Sequence, residues 1–276
     1  MTLEAFMDQE EITDKYLSYI LDWNDPFETP VVVQHEGVSV VRDDLLTVSP
    51  GVPCGSKVRF FDALLHRYSE IEEWVYGSSP ACGYAQISLP AACRVRGSES
   101  HIFMAKRDPK NYHEYQKRGI ELGGIYHWVP NGMLNVTEAR AREYVNEQPS
   151  RRKLVEIGGD HPVIIGSVIK VARSMGVVPD VVWSSGSSGT LTRGLQYAWP
   201  DAEVHVVQVG HKMKPEQIGR AEHHVADYDF FKAPEADLMP PFPSVAEYDA
   251  KAWIKMVEYY AGEVPEKNVL FWNVGG

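Results

Sequence analysis

The sequence predicts an α/β fold in which strands are joined by helical crossovers. Three observations carry this expectation. Short apolar runs of strand character, such as TPVVVQ (29–34), VSVVRDD (38–44) and AEVHVVQVG (202–210), alternate with stretches of helical spacing. Glycine-bearing turns stand where a run gives way to a helix, at GVPCGSK (51–57) and SSGSSGT (184–190). The chain has 276 residues, 44% hydrophobic and 24% charged, which is enough material for one large domain or two lobes.

In chain order, residues 4–22 have helical spacing, with Leu17, Ile20 and Leu21 on one stripe. The segments 29–34 and 38–44 read as short strands joined by His35-Glu36-Gly37. VRFFDALLHRYSEIEEW (58–74) is a helix, because Phe61, Leu64, Leu65 and Tyr68 recur at three- and four-residue steps. WVYGSS is a strand entering a turn. YAQISLPAACRV is the next helix, bent by Pro90, and SHIFMAK (100–106) is a strand. Residues 107–153 are polar, with one strand in GIELGGIYHWV. After LVEIGG (154–159) and the helix PVIIGSVIKVARSMG come strand, Ser/Gly loop and helix over 178–200, then the strand 202–210. FKAPEADLMPPFPS (231–244) holds four prolines and reads as a loop. A helix over about 246–261 and the strand VLFWNVGG follow. No internal repeat is evident.

Charge and composition narrow the function. A net charge of −11 and a pI near 5.4 disfavour a basic surface for long nucleic acid. Three cysteines, Cys54, Cys82 and Cys93, are too few for a disulfide framework and lack zinc-ligand spacing, as in a reducing cytoplasm. The acidic start MTLEAFMDQEEITDKY does not read as a secretion signal. No apolar run approaches the roughly 20 residues of a membrane helix.

The strongest local signal is SSGSSGTLTRGL (184–195), directly after the apolar VVW. Gly186 and Gly189 permit a sharp turn, and Ser185, Ser187, Ser188 and Thr190 add hydroxyls. The amino terminus of the next helix suits a phosphate. The alternative is a plain capped connection. Lys57 stands between a glycine turn and a helix; the alternative is an ordinary surface lysine. Tyr248-Asp249 is either a helix start or a functional pair. Together the three describe the needs of pyridoxal phosphate: an amine for its aldehyde, donors for its phosphate and a partner for its ring nitrogen.

At this point the sequence resembles the tryptophan-synthase-β-like group (fold type II) of pyridoxal-phosphate enzymes, nearest the branch of aminocyclopropanecarboxylate deaminase and D-cysteine desulfhydrase. VVRDDLLTVSPGVPCGSKVRFFDALL is similar to that branch's lysine segment, VEIGGDHPVIIGSVIKVA to its Gly-Gly segment, SSGSSGTLTRGL to its phosphate loop and YDAKAW to its "YeGKam" stretch. The resemblance covers residue 29 onward. It implies two lobes, 1–57 with 149–276 and 58–148, each a mostly parallel sheet flanked by helices, with the cofactor in the cleft between them. It implies that Lys57 forms the Schiff base and shuttles protons. Ser185, Gly186, Ser187, Ser188, Gly189 and Thr190 would bind the phosphate, and Asp249 the ring nitrogen, favouring a quinonoid intermediate. Tyr248 would stack on the ring or act as an acid. The family's Ser-Asn-His turn is rewritten here as GSSPACGYAQISLP (77–90), where Ser78, Ser79, Cys82, Tyr84 and Gln86 are the candidate substrate contacts.

The implied function is a pyridoxal-phosphate-dependent lyase or deaminase acting on an amino acid or a similar small substrate, in a cytoplasmic homodimer without membrane attachment. One alternative is a decarboxylase or trimming enzyme for an amino-acid-modified nucleotide, as in viral thymidine hypermodification. Another is a degenerate member that binds a phosphoryl ligand without catalysis. A metal is not expected: His223-His224 with Glu222 and Asp227 resembles a cluster, but adjacent histidines rarely share one ion. Asp160-His161 reads as a helix N-cap.

Overall fold

The computed structural model describes residues 8–276 apart from 50, 78, 131 and 264. In chain order the elements are α1 (Gln9–Ser18), β1 (Val32–His35), β2 (Val38–Arg42), β3 (Thr47–Val48), β4 (Val52–Pro53), α2 (Lys57–Arg67) and β5 (Glu73–Tyr76). Next come α3 (Ala85–Arg96), β6 (Glu99–Ala105), α4 (Glu114–Glu121), β7 (Ile125–Val129), α5 (Leu134–Glu147) and β8 (Arg152–Leu154). The remainder is α6 (Pro162–Ser174), β9 (Val181–Gly186), α7 (Thr190–Ala198), β10 (Glu203–Gln208), α8 (Pro215–Ile218), β11 (Glu222–Val225), α9 (Asp249–Tyr259) and β12 (Val269–Asn273). No described helix is long and apolar enough to cross a membrane.

The chain divides into two compact units, one discontinuous (1–46 with 160–276) and one continuous (47–159). Residues 47–57 and 149–159 therefore fall in the continuous unit.

The discontinuous unit holds a six-stranded sheet in the order β1-β2-β12-β9-β10-β11, parallel except for β1. β1 and β2 form a hairpin whose turn residues Glu36 and Gly37 both have positive φ, as the right-handed strand twist favours. Alternation along the strands buries both faces. Val181 and Trp183 of β9, Val269 and Phe271 of β12, and Val38 and Val40 of β2 pack on Ala252, Trp253 and Met256 of α9. Ser184, on the opposite face of β9, meets Thr192 of α7 at 3.0 Å. Burial of each large apolar side chain contributes roughly 1.5–3 kcal/mol. Starting from β9, the chain steps outward through α7, β10 and α8 to β11, then returns by α9 to place β12 on the other side of β9. The direction thus reverses between β9 and β12. In parallel α/β sheets such a reversal opens a crevice at the strands' carboxyl ends.

The continuous unit follows the same route with different residues. β5 leads through α3, β6 and α4 to β7, and α5 returns the chain to β8 beside β5; the four strands are parallel in the order β7-β6-β5-β8. The repeat is one of topology, invisible as sequence similarity. Val75, Phe103, Val129 and Ala141 form the core on the α5 side. Between 107 and 153 the polar stretch contains two helices that the sequence reading missed. α5 buries only Thr137 and Ala141 fully, so its apolar signal is weak. α8 and β11 were missed for the same reason, being short and polar.

Candidate functional site

Two sets of residues lie at the two reversal points, each within its own unit. In the discontinuous unit, Asp249 opens α9 and is fully buried. Its Oδ1 accepts from Ser185 Oγ at 2.7 Å and its Oδ2 from the Val274 backbone N–H at 3.1 Å. One carboxylate thus ties together the carboxyl ends of β9 and β12.

The Ser/Gly loop begins at Gly186 and ends at the amino terminus of α7. Gly189 caps that helix in the left-handed conformation (φ 71°), and a Cβ there would stand 2.0 Å from the Gln217 carbonyl oxygen. Ser187 and Ser188 are half-buried, Thr190 is buried, and the Ser188 and Thr190 hydroxyls lie 3.1 Å apart. The loop therefore offers hydroxyls and a helix amino terminus in one place, where an anion is favoured. Ser185 differs from the expectation: its hydroxyl serves Asp249.

Residues that sequence reasoning missed complete this edge. Asn273, fully buried at the end of β12, donates Nδ2 to Asp44 Oδ1 at 2.8 Å and to the Pro243 carbonyl at 2.9 Å, and accepts from Ser244 Oγ at 2.7 Å. Arg42 grips Asp44 through Nε at 2.8 Å and Nη2 at 2.7 Å. Asp44 is the last acid of the RDD run, so that stretch supports the edge from below. Lys251, nearly fully buried, donates Nζ to the carbonyls of Asp229 and Phe230, each at 2.8 Å. The half-buried Tyr248 ring packs edge-on to Phe230 at 5.3 Å between centroids. His161 caps α6, accepting the Val163 N–H on Nδ1 at 3.2 Å, as its N-cap reading anticipated.

In the continuous unit, Lys57 is the first residue of α2 and is half-buried. Gly55 (φ 66°) makes the turn before it, and Ser88 Oγ of α3 donates to the Cys54 carbonyl at 2.6 Å, fixing that turn. A helix amino terminus disfavours a cation, so an ordinary solvated lysine gains nothing there.

The turn after β5 carries the remaining candidates; Ser78 lies outside the described residues. Gln86 donates Nε2 to the carbonyls of Ala81 at 2.7 Å and Gly83 at 2.8 Å, while the Tyr126 hydroxyl lies 3.4 Å from its Oε1. Ser79 Oγ donates to the Pro80 carbonyl at 3.1 Å. A Cβ on Gly83 would stand 2.3 Å from Ser79 Oγ, which is why the turn closes so tightly. Thr137 Oγ1 bonds the Gly77 carbonyl from α5. Cys82 and Tyr84 are buried, and Tyr84 packs edge-on to Tyr115. Gln86 and Ser79 thus brace the turn. At the end of β5, burial pushes the Tyr76 hydroxyl up to about 12, opposed by a backbone hydrogen bond with Gly158 beyond β8. All three cysteines are buried and none forms a disulfide.

No protein-family model matches the chain, and no curated protein matches its sequence. Solved structures do match its fold. A homologue of ACC deaminase superposes with a TM-score of 0.75 at 16% identity, over 95% of this chain and 94% of the other. Processed threonine deaminase isoform 2 from Solanum lycopersicum gives 0.72 at 14%, over 98% and 85%. A pyridoxal 5′-phosphate-dependent aspartate racemase gives 0.67 at 14%, over 96% and 94%. The fold is that of fold-type-II pyridoxal-phosphate enzymes, as the resemblance implied.

Proposed function

We propose that this chain is a pyridoxal-phosphate-dependent lyase or deaminase acting on a small amino-acid-like substrate. The observation that carries the reading is the buried Asp249 carboxylate at the β9/β12 reversal, held by Ser185 and Val274. A buried carboxylate beside a loop of hydroxyls is the arrangement expected of a functional acid. The similarity to an ACC deaminase homologue and a threonine deaminase supports the reaction class.

The residues present fit the cofactor. Gly189 makes the left-handed turn that starts α7, and Ser187, Ser188 and Thr190 put hydroxyls at the same helix terminus, where an anion is favoured. When bound, pyridoxal phosphate supplies an electron sink for charge developing at the substrate's α-carbon. In this reading Lys57 would provide the amine for the aldehyde and afterwards move the α-proton. Asp249, with Ser185 and Val274 on its two oxygens, would hold a proton on the ring nitrogen. Ser187, Ser188, Gly189 and Thr190 would hold the phosphate, and Tyr248 would contact the ring. The turn braced by Ser79 and Gln86, with Cys82 and Tyr84 in it, would meet the substrate.

The test is an absorption spectrum of the purified protein with pyridoxal phosphate, before and after borohydride. Reduction should fix the cofactor to the peptide bearing Lys57, and Lys57→Ala should abolish the adduct. A colourless protein that retains no cofactor, or an adduct unchanged in Lys57→Ala, overturns the proposal.

A further inference from the structure

A second cluster lies on β10 and β11, on the sheet face covered by α9. His205 Nδ1 lies 3.0 Å from His224 Nε2, and Glu222 places Oε2 3.7 Å from the first of these nitrogens and Oε1 3.7 Å from the second. Beyond the ring, His205 Nε2 lies 3.1 Å from Glu203 Oε1. We propose that His205, His224 and Glu222 bind a divalent transition metal of the zinc type, with Glu203 as a positioning residue behind His205. The site is independent of the pyridoxal-phosphate reading.

Strand register assembles the cluster. His205 pairs with Glu222 and Val207 with His224, so alternation puts all four side chains on one face. His223 turns to the other face, where its Nε2 lies 3.2 Å from Gln208 Oε1. His223 and His224 thus face opposite sides of the sheet. The second histidine comes from the neighbouring strand.

Spacing and orientation suit an ion. Tetrahedral zinc with bonds of about 2.0–2.1 Å separates its ligand atoms by roughly 3.3 Å; the two ring nitrogens stand 3.0 Å apart, and one ligand atom from each of the three residues lies within 4.8 Å of the others. With its proton on Nε2, directed at Glu203 Oε1, His205 would turn the Nδ1 lone pair toward the cluster, the carboxylate–histidine arrangement behind many metal ligands. His205 is also clamped flat on Trp183, 4.1 Å between centroids. Glu222 and Glu203 are about half exposed (49% and 45%), which gives an ion a route from solvent.

The continuous unit supplies an internal contrast. His101 Nδ1 and His127 Nε2 lie 2.9 Å apart there, with Glu99 two residues before His101 and Tyr144 covering both rings as Tyr259 covers His205 and His224. Yet its buried acid, Glu73, is gripped by Arg152 Nε at 2.7 Å and Arg151 Nε at 3.0 Å. Two guanidinium groups repel a cation. Among the described residues, Glu222 forms ion pairs only with the two histidines.

Calorimetric titration of the full, chelator-treated chain with Zn²⁺ alone tests this. One saturable site per chain is expected. Glu222→Gln and His224→Gln should each weaken binding at least tenfold, and Glu203→Gln by about 10–100-fold. His127→Gln should bind as the parent does. Co²⁺ should give visible tetrahedral absorption that Glu222→Gln alters, with the metal-free urea midpoint of that exposed-site variant reporting its fold. Absence of a saturable site, or equal affinity in the parent, Glu222→Gln and His224→Gln, overturns the proposal.

Discussion

Ser185 Oγ stands 2.7 Å from Asp249 Oδ1 in the buried edge of the discontinuous unit, joining the end of β9 to the start of α9. Ser185→Ala removes a donor from a buried carboxylate, which costs about 1–3 kcal/mol. Urea denaturation should show that loss. A variant as stable as the parent would mean that the hydroxyl does not serve the acid.

Gly189→Ala combines left-handed strain with a steric collision. The strain costs about 1–2 kcal/mol, and the added Cβ would meet the Gln217 carbonyl oxygen at 2.0 Å. Gly97, with φ 73° and nothing within 4 Å of a Cβ, isolates the strain. Gly189→Ala should therefore lose more stability than Gly97→Ala, and its affinity for pyridoxal phosphate should fall. Equal losses would refute the close approach.

Gln86 separates bracing from ligand contact. Gln86→Glu sets a carboxylate against the Ala81 and Gly83 carbonyls that its amide now serves. It should destabilise by about 1–3 kcal/mol and by more than Gln86→Ala, which leaves no repulsive oxygen. Thermal unfolding of the pair decides, and the opposite order counts against the brace.

Glu73 predicts an acid limb to stability. Burial raises its carboxyl, but donors from Tyr144 and Arg152, with the His101 and Arg152 charges, outweigh it and leave the group below its ordinary value. A depressed folded value means that the unfolded state takes up the proton first. The contribution is complete above about pH 4.3 and is lost as pH falls through the folded value. Urea midpoints should fall in that window, and Glu73→Gln should flatten the slope.

The depressed histidines act at higher pH. His127, His205 and His224 are all lowered, in each case first by burial. Their stabilising contribution is present above about pH 6.5, the unfolded value, and declines as pH drops toward the folded values. His224→Gln should remove part of that slope in metal-free protein. An identical profile would show that His224 does not titrate with folding.

Motif chemistry was legible where it depends on local backbone. The SSGSSGT turn announced the loop at the β9 end, and Gly55 before Lys57 marked a helix start. What one sequence hides is pairing across distance. Asn273 reads as a strand residue until Asp44 is seen beside it, 229 positions away. Ser185 reads as a phosphate ligand until α9 brings Asp249 to it. Nothing in the sequence marks His205, because its partner enters from the next strand. α5 escaped notice because its buried face rests on Thr137 and Ala141 rather than on large apolar residues.

The position of β12 between β2 and β9 has a consequence for biosynthesis. The continuous unit is complete in sequence by residue 159 and can acquire its core while translation continues. The other sheet must wait. Until Val269–Asn273 leaves the ribosome, VSVVR and VVWSSG each present an apolar strand edge with no neighbour on that side. Such edges invite pairing with other chains. The nascent protein is thus most exposed to aggregation until β12 has been made, and a chaperone that shields strand edges would matter most over that interval.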